Sequence, residues 1–285
     1  MTDLPLRRNF KDSHGVDIVF WEWPVADPKA VVQLVHGIGE HARRYDHVAK
    51  KLNSLGYSVY ADDHRGHGQT GKGMVEAGIT KKQGPLGPGG MDAVLAQVRQ
   101  LTELIKSEHP NAKLVMLGHS WGSMLAQRLY DNYSSDLDAL VLSGSSLLSP
   151  LVLNSGRLNK KWEHLPNATG GEWLSRNHEV GKKFREDPLN FDESFTQTVG
   201  YLDTLKLMGA PKKTIDPTVP ILLQVGSEDA LAGERGNVLL ANAFRKRGVD
   251  DIVLFVYQGA RHEVYNETNQ DEVLNDLAVW LEAHL

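Results

Sequence analysis

A doubly wound, mostly parallel α/β sheet carrying a mainly helical insertion is the fold that this 285-residue sequence predicts. Three observations predict it. Short, nearly continuous apolar runs recur along the chain, as in strands buried on both faces of a parallel sheet. Helix-length segments lie between these runs. Finally, Gly118-His119-Ser120-Trp121-Gly122 stands where the apolar run Leu114–Leu117 gives way to a helix-like segment, the turn by which such sheets present a side chain at their C-terminal edge.

In chain order, strands are expected at Val16–Trp23, Val31–His36, Tyr57–Asp62, Lys113–Gly118, Ala139–Ser143, Ile221–Gly226 and Ile252–Tyr257. Helices are expected at His41–Leu55, Met91–Glu108, Ser120–Tyr133, Glu234–Arg247 and Asp271–Leu285. From Leu147 to Asp216 the alternation stops. There Trp162, Trp173, Phe184, Phe191, Phe195 and Tyr201 are scattered among charged residues, and Pro150, Pro166, Pro188 and Pro211 punctuate the stretch. The expected organisation is a core of residues 1–146 and 217–285 with a helical cap at 147–216. Because the excursion leaves the core just after the strand following Ser120, it is read as a lid over the sheet's C-terminal edge. A surface insertion without function is the alternative.

Composition excludes several classes. A net charge of −5 lacks the basic footprint of a nucleic-acid-binding protein. With no cysteine, disulfides, thiolate chemistry and cysteine-based zinc sites are excluded. Residues Met1–Arg8 lack the apolar core of a signal peptide, and no apolar stretch is long enough to span a bilayer, so a cytoplasmic protein is expected.

Ser120 sits at a sharp strand-to-helix turn with glycines on either side, so its hydroxyl projects clear of the backbone. The new helix begins beside it, where free N–H groups favour developing negative charge. A nucleophile of this kind needs an acid and then a histidine later in the chain. The run Ile221–Gly226 ends in Ser227-Glu228-Asp229, and Ile252–Tyr257 is followed by Gly259-Ala260-Arg261-His262. Asp229 and His262 are therefore the candidate partners, with Glu228 as the rival acid. His262 stands apart from the eleven other histidines by following both Ser120 and Asp229 at a strand end. For an oxyanion hole, one N–H comes from Trp121, after the serine. The second is assigned to Ile38, in His36-Gly37-Ile38-Gly39, where a buried strand runs into a tight turn; a plain strand-to-loop turn is the competing reading.

Together with Arg44-Tyr45, Asp63-His-Arg-Gly-His-Gly-Gln69, Asp187-Pro188-Leu189 and Gly259-Ala-Arg-His262, these motifs resemble the monoacylglycerol lipase branch of the α/β-hydrolases over nearly the whole chain. The resemblance implies Ser120, Asp229 and His262 as triad and Ile38 and Trp121 as oxyanion donors. It also implies a recess for the substrate's alcohol lined by Glu40 and Arg44. Tyr265 stands near that recess where mammalian members carry a second histidine, and Trp121 is bulkier than the usual methionine. No cofactor or metal is implied.

Two motifs are decoys. Gly66-His-Gly-Gln-Thr-Gly71-Lys72-Gly73 nearly spells a phosphate loop, but Gly73 offers no hydroxyl for Mg²⁺ and no clear helix is expected directly after it. Asp63, His64 and His67 are read as a hydrogen-bonded loop bracing the site rather than as metal ligands. The expected activity is ester hydrolysis through an acyl-enzyme, on monoacylglycerols or similar single-chain lipid esters. The runners-up are a short-chain carboxylesterase or lysophospholipase, an amide or peptide hydrolase, and a ligand-binding member of the fold. The expected partners are a small-molecule ester and, transiently, a lipid surface. Leu147, Leu148, Leu151, Val152, Leu153 and Leu158 would either line an acyl tunnel and touch lipid or anchor the insertion to the core.

Overall fold

A computed structural model describes residues 4–154 and 156–285. The signal-peptide reading at positions 1–3 and residue 155 of the expected cap lie outside the described residues. In chain order the elements are β1 (Leu6–Lys11), β2 (Asp17–Trp23), β3 (Ala30–Val35), α1 (Asp46–Ser54), β4 (Tyr57–Asp62), α2 (Gly68–Glu76), α3 (Gly90–Glu108), β5 (Lys113–His119), α4 (Trp121–Tyr133) and β6 (Ala139–Ser143). There follow α5 (His178–Glu186), α6 (Phe195–Val199), α7 (Tyr201–Leu207), β7 (Ile221–Gly226), α8 (Gly233–Arg245), β8 (Ile252–Tyr257) and α9 (Gln270–His284). The strands of the described residues form a mostly parallel sheet interleaved with helices, the doubly wound class that the sequence predicts.

The chain divides into two compact units, Met1–Met116 with Leu189–Leu207, and Leu117–Pro188 with Met208–Leu285. In the first unit the strands run in the order β1-β2-β4-β3, with β2 antiparallel to both its neighbours and β3 parallel to β4. Every residue of β3 and β4 is buried, as in strands covered on both faces. Gln33, the polar exception within β3, donates to the Val98 carbonyl and accepts from Thr102, so its burial leaves no amide group unmatched. In the second unit β6, β7 and β8 are parallel neighbours.

Two elements were not expected. Strand β1, Leu-Arg-Arg-Asn-Phe-Lys, is an antiparallel partner of β2 with no fully buried residue, so no apolar run marks it. Helix α2 begins inside the glycine-rich decoy, where no clear helix was expected. Its N-terminus is held by the Asp63 carboxylate, which accepts the Gln69 N–H at 2.8 Å. Met74 anchors the helix in a cluster with Val16 and Ile18. Tertiary contacts here override the poor helix propensity of three glycines.

Residues 147–216 are divided between the two units. Their described regular structure is α5, α6 and α7 with an isolated bridge between Leu148 and Gly209; much of the remainder is turn. Residues 189–207 pack with the first unit, where the Phe191 N–H donates to the Gly39 carbonyl and Asp203 accepts the Met91 N–H, both at 2.9 Å. Among the described residues no helix is long and apolar enough to cross a membrane.

Candidate active site

Ser120 caps the N-terminus of α4 with φ 53° and ψ −122°, a conformation that L residues rarely adopt and that costs on the order of 1–3 kcal/mol. The surroundings enforce it. A Cβ on Gly118 would lie 2.6 Å from the Gly122 carbonyl oxygen and 2.8 Å from the Ser123 Cα, so only glycine lets strand and helix come this close. The Ser120 N–H donates to the Ser143 carbonyl at 2.9 Å, and Ser123 Oγ donates to the Ser120 carbonyl at 2.6 Å. The turn therefore leaves a half-buried hydroxyl at the start of a helix.

That hydroxyl lies 2.8 Å from His262 Nε2, and His262 Nδ1 lies 3.0 Å from both carboxylate oxygens of Asp229. A carboxylate only accepts, so Nδ1 carries the ring proton and the free lone pair of Nε2 faces Ser120. Asp229 is 7% exposed and takes a further hydrogen bond from the Leu231 N–H at 2.8 Å. Its rival Glu228 points elsewhere, into an ion pair with Lys161. The loops after β7 and β8 meet tightly: a Cβ on Gly226 would fall 2.1 Å from the Ala260 carbonyl oxygen. The structure thus brings together the three residues that the sequence singled out, all within the second unit.

Two neighbours of the imidazole were not foreseen. The His119 ring lies 4.9 Å from that of His262, with Nδ1 3.2 Å from Ser143 Oγ. Trp173, from the insertion, also has its ring 4.9 Å from the imidazole. His119 occupies the variable second position of the serine pentapeptide, which was a usable signal; Trp173 had none nearby in sequence.

Trp121 begins α4 and is buried. Ile38 lies in the first unit, in the loop after β3, and is half-buried. Glu40, only 2% exposed, organises that loop: it accepts the Gly37 N–H at 2.6 Å and the Tyr45 hydroxyl at 2.7 Å, and pairs with the Arg44 guanidinium. His36 donates through Nδ1 to the Gly37 carbonyl at 2.7 Å and accepts the His64 N–H at Nε2 at 3.1 Å. Accepting there requires a neutral ring, in accord with burial holding its pKa well below the ordinary histidine value.

Asp63, His64 and His67 serve the neighbouring loop. Asp63 accepts the N–H groups of Ala42 and Gln69, His64 lies 2.8 Å from Asp62, and His67 bonds the Arg65 carbonyl. Tyr265 is turned inward in the second unit. It is 1% exposed, and its hydroxyl donates to Gln224 Oε1 at 2.6 Å.

Residues 26–269 match the family described as serine aminopeptidase, S33. A monoacylglycerol lipase of Mycolicibacterium smegmatis is 30% identical over 97% of each chain. The monoglyceride lipase of Mus musculus is 31% identical over 98% of this chain and 90% of that one. A highly thermostable carboxyl esterase from Bacillus coagulans, solved in complex with glycerol, superposes with a TM-score of 0.84 at 25% identity, covering 99% of both chains. A family match over most of the sequence, together with near-full-length relatives at this identity, means that the chain belongs to the S33 serine aminopeptidase family of α/β-hydrolases, in its monoacylglycerol lipase branch.

Proposed function

We propose that this protein hydrolyses carboxylic esters through an acyl-enzyme, and that its substrates are monoacylglycerols or similar single-chain lipid esters. The hydrogen-bonded relay from Ser120 through His262 to Asp229 carries this reading. His262 Nε2 takes the Ser120 proton as the hydroxyl oxygen attacks the ester carbonyl. Asp229 fixes the tautomer and stabilises the imidazolium. The N–H groups of Trp121 and Ile38 are the proposed oxyanion donors. Collapse of the tetrahedral intermediate expels the alcohol, which takes its proton from His262, and water then cleaves the acyl-enzyme by the same steps.

The substrate class is supported by the relatives' names and by the insertion, residues 147–216, which we propose acts as a cap. Leu151 is 92% exposed, as a lipid-touching side chain would be, while Leu148 is buried and anchors the segment. Glu40 and Arg44 are the proposed polar contacts on the alcohol side; their mutual ion pair also braces the Ile38 loop. A cytoplasmic compartment belongs to the same proposal, and the cysteine-free sequence fits it.

A panel of monoacylglycerols, p-nitrophenyl esters of graded chain length and aminoacyl arylamides tests the assignment. The expected result is highest kcat/KM on long single-chain esters, abolished by Ser120→Ala. Preference for acetate or butyrate esters would demote the lipase reading. Preference for arylamides, the substrates that the family description suggests, would replace it.

A further inference from the structure

We propose that Trp173, contributed by the insertion, is a positioning residue that holds the imidazole of His262 in line with Ser120. This rests on the triad reading above and adds to it a component supplied from outside the sheet.

Asp229 and Ser120 hold the ring at its two nitrogens, Nδ1 and Nε2, through hydrogen bonds along its edges, and swing about the Cβ–Cγ axis is limited further by what packs on its faces. The Trp173 indole lies against the ring at 4.9 Å with planes inclined by 32°, so it limits that swing from one side. The His119 ring, inclined by 52° at the same distance, also packs against it. A Cβ on Gly144 would reach within 3.0 Å of His262 Cε1, so backbone crowds the ring as well. The histidine is 1% exposed in this enclosure.

Trp173 is placed there by a dense set of backbone contacts. The Trp173 carbonyl accepts the His262 N–H at 3.3 Å and the Leu174 carbonyl accepts the Glu263 N–H at 2.7 Å. Arg261, immediately before the histidine, donates to the carbonyls of Glu172 and Ser175 at 2.6 and 2.9 Å. Ser175 Oγ donates to the Asn266 carbonyl at 2.9 Å. Glu267 closes the clasp, accepting the N–H groups of Arg176 and Arg261 and the Arg176 guanidinium. Burial pushes the Glu267 carboxyl up, but the hydrogen bonds from Arg176, Thr268 and Arg261 outweigh it and hold the group below the usual carboxylate range. Residues Glu172–Arg176 are therefore a fixed wall of the histidine's cradle.

Trp173→Ala, Trp173→Phe and Trp173→Leu are compared with Ser120→Ala in parallel. In the alanine variant kcat falls on the order of 10–10²-fold, equally on short and long esters, while KM stays within about threefold. Phosphonylation of Ser120 by a small fluorophosphonate slows in step. The downfield NMR signal of the His262 Nδ1 proton broadens through exchange with water. Phenylalanine restores most of the rate; leucine, which fills space without a flat face, restores less. An alanine variant with wild-type kcat, a loss confined to KM, or phenylalanine as slow as alanine overturns the proposal. Should alanine not fold, a leucine variant with wild-type kcat overturns it equally. An active Ser120→Ala would instead overturn the triad reading, whereas an inactive one beside a fully active Trp173→Ala removes only the role of Trp173.

Discussion

Asparagine at position 229 preserves the size of the aspartate and removes its charge, and the consequences follow atom by atom. The native carboxylate receives His262 Nδ1 at 3.0 Å and the Leu231 N–H at 2.8 Å. In Asp229→Asn the amide oxygen stays on the Leu231 N–H, which needs an acceptor, and the NH₂ group faces Nδ1. Since NH₂ donates, Nδ1 must become the acceptor and the ring proton moves to Nε2, directed at Ser120 Oγ. The imidazole then has no lone pair for the Ser120 proton, and the imidazolium loses its counter-charge. In the Ser-His-Asp template this change costs about 10⁴ in kcat, equivalent to about 5.4 kcal/mol of barrier. Steady-state kinetics on a soluble ester, with unfolding midpoints to show that the fold is kept, make the assay. Glu228→Gln is the control; its carboxylate faces Lys161, so kcat stays within about threefold. An Asp229→Asn variant within tenfold of wild type, or a larger loss from Glu228→Gln, would refute the reasoning.

Glu40→Ala leaves the Gly37 N–H and the Tyr45 hydroxyl without their carboxylate acceptor, so the Ile38 loop loosens and kcat falls by up to about 10²–10³, the cost of one oxyanion donor; unchanged kcat contradicts the proposed loop role. His36 and His67 are held neutral by burial, His67 down to about 3, so only the unfolded chain gains their protons as pH drops below about 6.5. Stability then declines on acidification from about 6.5 towards 3, by about 1.4 kcal/mol per histidine for each pH unit. Urea unfolding across that range checks it: His67→Gln should flatten the slope by one proton, and an unaltered slope would show that His67 does not titrate this way.

The parts of this protein that were legible in its sequence are those with a local physical cause. Tyr57–Asp62, Ala139–Ser143, Ile221–Gly226 and Ile252–Tyr257 occur where the largely apolar runs placed them, because strands inside a parallel sheet are built mainly from apolar side chains. Ser120 was legible because its turn requires a glycine at 118. Asp229 and His262 followed from their places after strands. What escaped has non-local causes. Strand β1 forms because β2 offers an unpaired edge, and nothing in Leu6–Lys11 announces that. Helix α2 exists because Asp63 caps it and Met74 finds a core, against its glycine content. Trp173 is brought to His262 by hydrogen bonds between segments that are remote in sequence. The hydrogen bond from the Tyr265 hydroxyl to Gln224 likewise joins residues that are remote in sequence.

Intact-protein and peptide mass spectrometry after brief exposure to a small fluorophosphonate tests the central claim most directly, because that reagent reports an activated serine whatever the natural substrate. The account predicts one adduct per chain, located on Ser120, formed rapidly in the wild type, slowly in His262→Ala and not at all in Ser120→Ala. A folded protein whose Ser120 stays unmodified, or is modified as fast without His262, would contradict it.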